Sequence, residues 1–404
     1  AQRARLRPTA ALIDPVSVFD PGRMMETVRQ LSDASLQGRG LGSAGLDQAA
    51  DYIAQSFIRA GLKPGGENGS YFQYFTARDQ RGRERTLKNI IGVIPGRHPK
   101  LASQNVVFGA HYDHLGLGWP DVREQNFGQV HHGADDNASG IAIMLELARA
   151  MGRRFQPDRS VVFAAFSAEE AGRLGSKHYV AHETTYPVSR SIGMLNLDTV
   201  GRLFDKKLMV LGAETAAEWP HIFRGAGYVA GLEVKAVADD LGASDQRSFL
   251  DAGVPAVQLF SGPHPDYHRA SDSADKLDYP GLLNTAALLD ERTQYRHQQL
   301  PPHHDDGHPG GNAGGRFRRR KERREGSRSR PKLEAQLSNV RLRSGFHSVH
   351  RSAHAEIRIA RRAREHVAEA DTALGDDRKI GIGHVAKIDP FGVLDAHVKV
   401  AFGL

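Results

Sequence analysis

The sequence of 404 residues contains no cysteine. Disulfide bridges, cysteine-ligated zinc and a thiol nucleophile are therefore excluded, although the cellular compartment is not fixed by this absence. The chain also lacks any run approaching the roughly 18 consecutive apolar residues of a membrane span, and it lacks the pattern of a signal peptide. Because it starts at Ala1 rather than at Met, we expect a secreted or periplasmic protein whose leader is absent from this sequence.

The excess of basic over acidic residues comes from one segment of the chain. Residues 301–350 carry twelve Lys and Arg against five Asp and Glu, and this excess of seven equals the net charge of the whole chain, +7. A nucleic-acid hypothesis therefore concerns only this segment, whose densest basic stretch is 316–330. Its His-, Gly- and Arg-rich composition cannot bury enough apolar surface to offset the entropy of ordering. We predict a largely disordered tail of unknown function over residues 291–404.

The rest of the chain divides into an N-terminal extension, residues 1–20, and one domain, residues 21–290. Apolar residues at steps of three and four predict helices within Pro21–Gly61 and at Ala138–Met151. Continuous apolar runs predict strands, and these are Asn89–Ile94, Asn105–Ala110, Ser160–Phe166, Ile192–Leu197, Leu208–Leu211 and Ala256–Phe260. Continuous rather than alternating strands indicate an α/β three-layer sandwich with a mixed, mainly parallel central sheet flanked by helices.

A glycine-rich stretch, Leu36–Gly45, superficially resembles a phosphate-binding loop. No convincing strand precedes it, and the Gly-Lys-Ser/Thr ending of such loops is missing. We therefore predict an ordinary loop between two helices.

Several predicted strands end on potential metal ligands. These residues are His111, Asp113 and His114, then Glu169 and Glu170, then Asp198, and finally Tyr267 and His268, with Asp135 and Asp136 in an acidic loop before a helix. Sites in open α/β sheets form at the carboxyl ends of strands. Histidine and carboxylate without thiolate suit zinc in a hydrolytic site, and a shared carboxylate allows two metals. One glutamate of the Glu169-Glu170 pair would then be free to act as a base.

Five motifs occur in a characteristic order along the chain. They are His-Tyr-Asp-His, Gly-Ala-Asp-Asp-Asn-Ala-Ser-Gly, Ala-Glu-Glu-Ala-Gly-Arg-Leu-Gly-Ser, Asn-Leu-Asp-Thr-Val-Gly-Arg and Asp-Tyr-His-Arg-Ala-Ser-Asp. In this order they resemble the co-catalytic zinc aminopeptidases of metallopeptidase family twenty-eight, which are related to bacterial leucyl aminopeptidase and glutamate carboxypeptidase II. The resemblance extends from about Leu31 to Leu289.

The resemblance implies two zinc ions per chain and assigns their ligands. His111 and Asp198 would hold one ion, Glu170 and His268 would hold the other, and Asp136 would bridge the two. This ligand set implies a zinc-dependent exopeptidase of the same three-layer fold.

The resemblance also implies roles for residues that do not bind metal. Asp113 matches the acid that orients His111, and Glu169 matches the general base that activates a metal-bridging water. Tyr267 and Arg202 are candidates for contact with the substrate or the transition state.

The implied activity is that of an aminopeptidase acting on peptides with a free N-terminus. The alternatives are a dipeptidase or carboxypeptidase of the same family, a glutaminyl cyclase with one zinc ion, and a binding module that keeps the fold without catalysis. Retention of both His111 and Asp198 argues against the cyclase, and the complete ligand set argues against the binding module.

The sequence departs from the family pattern at two motifs. Ser244-Asp245-Gln246 stands where relatives commonly have Ser-Asp-His, so the role of the third residue is open. Arg269 and Ala270 follow His268 where relatives often have Thr-Pro, and neither change removes a metal ligand. Only residues 77–86 separate two predicted elements where relatives often carry a protease-associated domain, so we expect no such insertion. His114 is interpreted as a loop or supporting residue, because His111 already occupies the family's ligand position.

Overall fold

A computed structural model describes residues 18–290, apart from residues 122–125, 153–155, 183–184, 205–206 and 243. The predicted tail at 291–404, with its basic stretch 316–330, lies outside the described residues, as does most of the predicted N-terminal extension. Among the described residues, no helix combines the length and apolar character needed to cross a membrane.

The described region contains seven α-helices, several of which have recognisable capping residues. They are α1 (Pro21–Leu31), α2 (Ala44–Ala60), α3 (Gly140–Gly152), α4 (Leu174–Ala181), α5 (Trp219–Ala230), α6 (Gln246–Asp251) and α7 (Tyr279–Leu289). The side chains of Asp20, Ser43 and Asp278 accept hydrogen bonds from backbone N–H groups in the first turns of α1, α2 and α7. Such bonds satisfy donors that have no partner within the helix. Gly61 ends α2 in a left-handed conformation.

The strands form one sheet. They are β1 (Lys63–Pro64), β2 (Phe72–Arg78), β3 (Glu84–Ile94), β4 (Asn105–His111), β5 (Ser160–Phe166), β6 (Ser191–Leu197), β7 (Leu208–Leu211), β8 (Val234–Val237) and β9 (Ala256–Phe260). Their order is β1-β3-β5-β4-β6-β9-β7-β8, with β2 also paired to β3. The central strands β5, β4, β6 and β9 run parallel, whereas β3 and β7 join them antiparallel. The prediction of a mixed, mainly parallel sheet is confirmed.

Two apolar cores lie on opposite faces of this sheet. Successive side chains of a strand point to opposite faces, so Val106 and Phe108 of β4 join one core and Val107 joins the other. The larger core includes apolar residues of α1, α2, α3, α5 and α7, and the smaller one includes Tyr179 of α4 and Phe249 of α6. Helices therefore cover both faces of the sheet, which confirms the three-layer sandwich.

β2 and β3 form a hairpin closed by a turn at residues 79–83. The chain therefore passes directly from one strand to the next at the place where the sequence predicts no inserted domain.

The four parallel strands all end at the same edge of the sheet. Residues that directly follow β4, β5, β6 and β9 are therefore brought together at this edge.

Candidate metal centre

One group of potential ligands surrounds the imidazole of His111, the last residue of β4. Its Nε2 atom lies 3.2 Å from Asp136 Oδ1 and 3.5 Å from Asp198 Oδ1. All three side chains are buried, and their ligand atoms lie within the range expected of residues that share a metal ion. Asp198 directly follows β6, and Asp136 lies in the irregular turn that precedes α3.

A second group uses the other oxygen of Asp136. Nε2 of His268 lies 3.2 Å from Asp136 Oδ2 and 3.3 Å from Glu170 Oε2. Glu170 belongs to the turn between β5 and α4, and His268 to the loop after β9. The two oxygens of one carboxylate thus face two different sets of ligands, as the predicted bridging role requires.

The distances within these two groups fit tetrahedral zinc. Bonds of 2.0–2.1 Å to nitrogen and oxygen place two ligand atoms of a tetrahedral site about 3.3 Å apart. The separations between histidine nitrogen and carboxylate oxygen are 3.2 and 3.5 Å in the His111 group and 3.2 and 3.3 Å in the His268 group. The spacing of these ligand atoms therefore fits zinc.

His114 also lies next to the second group, but its distances are those of a hydrogen-bond partner. Its Nδ1 atom lies 2.7 Å from Glu170 Oε1 and 3.9 Å from Asp136 Oδ2. The first distance is shorter than the spacing of two zinc ligands and matches a charge-assisted hydrogen bond. The ligand atoms of His114, Asp136 and Glu170 nevertheless lie close enough together to share a metal ion, so the supporting role of His114 stays a prediction.

The electrostatics of the cluster also favour a cation. Although burial opposes protonation of both histidines, Asp136 and Asp198 raise the pKa of His111 well above its usual range, and Glu170 and Asp136 raise the pKa of His268 to about 11. Burial acts against ionisation of Asp136, yet hydrogen bonds from the two histidines hold its pKa well below the usual range. Protons on the histidines here balance the carboxylates, and a metal ion would displace them on binding.

Asp113 supports the turn that carries the two glutamates. Its Oδ1 accepts a hydrogen bond from the backbone N–H of Glu169 at 3.0 Å, and its Oδ2 accepts one from that of Glu170 at 3.3 Å. The predicted contact with His111 is longer, because Nδ1 lies 3.8 Å from the carboxylate and 3.3 Å from the backbone carbonyl of Asp113. Burial raises the pKa of Asp113 to about 6. Asp113 therefore holds the backbone of both glutamates and also contacts the histidine.

A chain of amides supports Asp198. Thr199 donates a hydrogen bond to Asp198 Oδ1 at 2.9 Å, and Gln258 on β9 donates one to Oδ2 at 3.3 Å. The Gln258 side chain in turn accepts a hydrogen bond from Gln246 at 3.1 Å. Gln246 is the residue that departs from the family's Ser-Asp-His pattern, and the structure gives it an indirect connection to a potential ligand.

The loop of Asp136 is held by a buried ion-pair network. Asp272 Oδ2 accepts hydrogen bonds from the backbone N–H groups of Asp135 at 2.9 Å and Asp136 at 3.1 Å. Arg202 donates to Asp272 at 2.7 Å and to Asp266 at 2.6 Å, and only 6% of Arg202 is exposed. Two carboxylates thus already bind the guanidinium group of Arg202, and its contact with the substrate stays a prediction.

Tyr267 and Asp121 flank His268. The ring of Tyr267 stacks on the imidazole with 3.9 Å between ring centroids, and 39% of the tyrosine is exposed. Asp121 Oδ2 lies 2.9 Å from His268 Nδ1, which directs Nε2 toward Asp136 and Glu170. Tyr267 is thus accessible beside a potential ligand, as its predicted role needs.

Three contributors to the site were missed or only partly recognised in the sequence. The hydrogen bond between His114 and Glu170 could have been suspected from the second histidine of the His-Tyr-Asp-His motif. Asp121 gave no such signal, since it reaches His268 from a loop far along the chain. Asp272 is the last residue of the Asp-Tyr-His-Arg-Ala-Ser-Asp motif, but the motif does not reveal its hydrogen bonds to the Asp136 loop.

Comparison with known proteins assigns the chain to a family. Residues 89–291 match the sequence profile of Peptidase family M28. The chain belongs to this family. The assignment confirms the family predicted from the five motifs.

Curated relatives of this M28 chain match it over about half of their own length. Aminopeptidase YwaD of Bacillus subtilis is 31% identical over 224 residues, which cover 51% of this chain and 45% of the relative. Leupeptin-inactivating enzyme 1 of Streptomyces exfoliatus is 29% identical over 239 residues, which cover 59% of this chain and 47% of the relative.

Solved structures of similar fold cover most of the described region. A zinc aminopeptidase from Bacillus subtilis superposes with a TM-score of 0.54 at 20% identity, covering 69% of this M28 chain and 95% of the other. A glutaminyl cyclase from Bacteroides thetaiotaomicron superposes with a TM-score of 0.56 at 20% identity, covering 67% and 96%. At these identities the likeness shows the fold alone.

Proposed function

We propose that this chain is a zinc-dependent aminopeptidase that binds two zinc ions. The observation that supports the proposal most strongly concerns Asp136, whose two carboxylate oxygens each lie 3.2 Å from a different histidine. Asp198 completes one group and Glu170 the other. The names of the curated relatives, among them an aminopeptidase of Bacillus subtilis, support the same activity.

The bound zinc ions would lower the pKa of a coordinated water and polarise the scissile carbonyl group. In the proposed reaction, Glu169 accepts a proton from the attacking water and returns it to the leaving amine. Burial raises the pKa of Glu169 well above its usual range; His111 opposes this shift, and the nearby charge of Asp245 adds to it. The hydrogen bond from the Glu169 backbone to Asp113 keeps this base beside the ligand Glu170.

Metal analysis together with a panel of peptides tests the proposal. We expect two zinc ions per chain, release of the first residue from peptides with a free N-terminus, and no cleavage of N-blocked peptides. Cleavage of blocked peptides from their C-termini would contradict the aminopeptidase assignment and favour a carboxypeptidase. The variant Glu169→Gln should retain both zinc ions and lose turnover, because an amide cannot accept the proton.

Glutaminyl cyclisation is the alternative reaction on this fold. Structures named glutaminyl cyclase share the fold. A zinc stoichiometry of one, with cyclisation of peptides that begin with glutamine, would favour this alternative. We expect neither, because His111 and Asp198 preserve a second group of ligands beside Asp136.

A further inference from the structure

Arg39 lies in the glycine-rich stretch of the sequence and is fully buried. Among the described residues, its hydrogen-bond acceptors are backbone carbonyl groups. The guanidinium group donates to the carbonyl oxygens of Tyr112 at 2.8 Å, His132 at 3.0 Å and Gly133 at 2.9 Å, and also to that of Leu31. A buried charge is costly, so these bonds must be well formed for the fold to tolerate it.

Three of the four acceptors of Arg39 lie in the two segments that supply ligands. Tyr112 stands between His111 and Asp113, and Gly133 opens the irregular turn that contains Asp136. One planar side chain with several fixed donors thus spans both segments. The distance between the two segments is part of what places His111 close to Asp136.

The glycines beside Arg39 explain why this stretch is glycine-rich. A β-carbon on Gly38 would lie 2.5 Å from the carbonyl oxygens of Gly116 and His131, and one on Gly40 would lie 2.8 Å from the α-carbon of Gly116. Only a residue without a side chain allows the backbones to approach so closely. The glycines are therefore explained by packing against the loop that follows β4, not by a bound phosphate.

Backbone hydrogen bonds join the same segments. The N–H of His114 donates to the carbonyl of Arg39 at 3.2 Å, and the N–H of Gly116 donates to that of Gly38 at 3.1 Å. Arg39 itself has a positive φ of 49°, a conformation that residues other than glycine rarely adopt and that the surrounding structure must compensate. Side chain, backbone and close packing therefore all connect residues 38–40 to the ligand segments.

We propose that Gly38–Gly40, with the guanidinium of Arg39, acts as a positioning clamp that sets the distance between the His111 segment and the Asp136 segment. The inference rests on the proposed zinc centre. The clamp lies outside residues 89–291, the part of the chain that matches the family profile. The N-terminal region would therefore contribute to metal affinity without supplying a ligand.

The clamp predicts whether zinc binding becomes weaker or tighter when Arg39 is replaced. If Arg39 acted only through its charge, its removal would tighten zinc binding, because a cation near the ligands repels a metal ion. If Arg39 positions the ligand segments, its removal should weaken zinc binding. Loss of partners that support metal ligands weakens metal affinity by about 10–100-fold.

The test compares zinc dissociation constants of the full chain, measured by competition with a chromophoric chelator. Arg39→Gln should bind zinc about 10–100-fold more weakly, and Arg39→Lys, which keeps the charge and some donors, should lie between Gln and wild type. Gly40→Ala should also weaken binding, because its new methyl group pushes against Gly116. Far-ultraviolet circular dichroism establishes that each variant is folded.

Two variants serve as matched controls. Arg23→Gln removes another arginine of the N-terminal region, one that pairs with Glu146 at 2.7 Å rather than with the ligand segments. Gly225→Ala adds a methyl group in open space. Both should leave the zinc dissociation constants unchanged.

The outcomes separate the clamp from the proposed function. Unchanged or tighter zinc binding in folded Arg39→Lys and Gly40→Ala would overturn the clamp, even if Arg39→Gln failed to fold. Equal weakening in Arg23→Gln would also overturn it, since any loss of N-terminal contacts would then suffice. If the wild-type chain bound no zinc, the proposed function itself would fail.

Discussion

Replacing Arg202 by methionine should destabilise the protein strongly, because it removes the cation from a buried pair. The guanidinium lies 2.7 Å from Asp272, whose side chain is fully buried, and 2.6 Å from Asp266. Asp266 keeps Lys276 as a partner at 2.8 Å. Among the residues that the structure describes, Asp272 then keeps only the backbone N–H donors of Asp135 and Asp136, so the cost of the substitution falls mainly on Asp272.

The size of this cost can be bounded in two ways. Removing one partner of a buried ion pair typically costs about 3–5 kcal/mol. The unpaired carboxylate can instead take up a proton, which at pH 7 costs about 4 kcal/mol for an acid with an ordinary pKa of about 3.9. The expected loss at pH 7 is therefore about 3–4 kcal/mol, or a fall in Tm of roughly 10 °C for a domain of this size.

The assay is thermal and urea unfolding in the presence of a chelator, so that zinc affinity does not contribute. Burial already raises the pKa of Asp272, and Arg202 opposes that shift. The pKa of Asp272 therefore lies higher in the folded variant than in the folded wild-type protein, and the variant binds more protons between these two values. The variant's stability relative to wild type falls as pH rises through this interval, so the deficit should shrink as the pH is lowered.

A surface pair provides the control for this prediction. Arg247 contacts Asp251 at 2.7 Å, and both side chains are about half exposed, so Arg247→Met should cost less than about 1 kcal/mol. If Arg202→Met unfolded like Arg247→Met, the argument from burial would be refuted. A raised KM at unchanged stability would instead favour the sequence prediction that Arg202 contacts the substrate.

Three further substitutions test other parts of the argument. Glu169→Gln should lower kcat by about 10²–10⁴-fold, with zinc content by metal analysis unchanged; loss of zinc would mean that Glu169 is a ligand. Asp113→Asn replaces one acceptor oxygen by a donor that faces backbone N–H groups, and should weaken zinc binding by about 10–100-fold in chelator competition. Phe163→Ala empties a fully buried position beside Phe108 and should cost about 3–5 kcal/mol in urea unfolding with chelator present.

The central strands could be predicted from the sequence, whereas the marginal ones could not. The predicted bounds of β5, β7 and β9 equal those of the structure, because these strands are mainly apolar, with Gln258 interrupting β9, and the apolar runs end at Ser167, Gly212 and Ser261. β2 alternates buried and exposed residues, and β8 consists of four partly exposed residues that include Lys235. Strands with one exposed face near the margin of a sheet lack the continuous apolar run that identified the others.

The same distinction applies to the site. The ligands proposed from the sequence are brought together because each one follows a strand or opens a helix, and such positions have a recognisable local pattern. The contacts of Arg39 are with backbone carbonyls distant along the chain, and any sequence provides carbonyl groups. Arg202 belongs to a recognisable motif, but the motif does not tell whether its side chain points to the substrate or to Asp272.

The separation of the ligands along the chain has a consequence for the order in which the protein acquires metal. His111 is the last residue of β4 and His268 follows β9, with β5, β6, β7 and β8 between them in sequence. Contacts between residues so far apart form late, because closing long loops costs entropy before the contacts stabilise anything. A nascent chain that has not yet emerged as far as His268 offers Asp136 and Glu170 without their second histidine. Complete loading of the proposed centre with zinc would therefore be a property of the finished protein, and metal uptake would report that folding has reached its end.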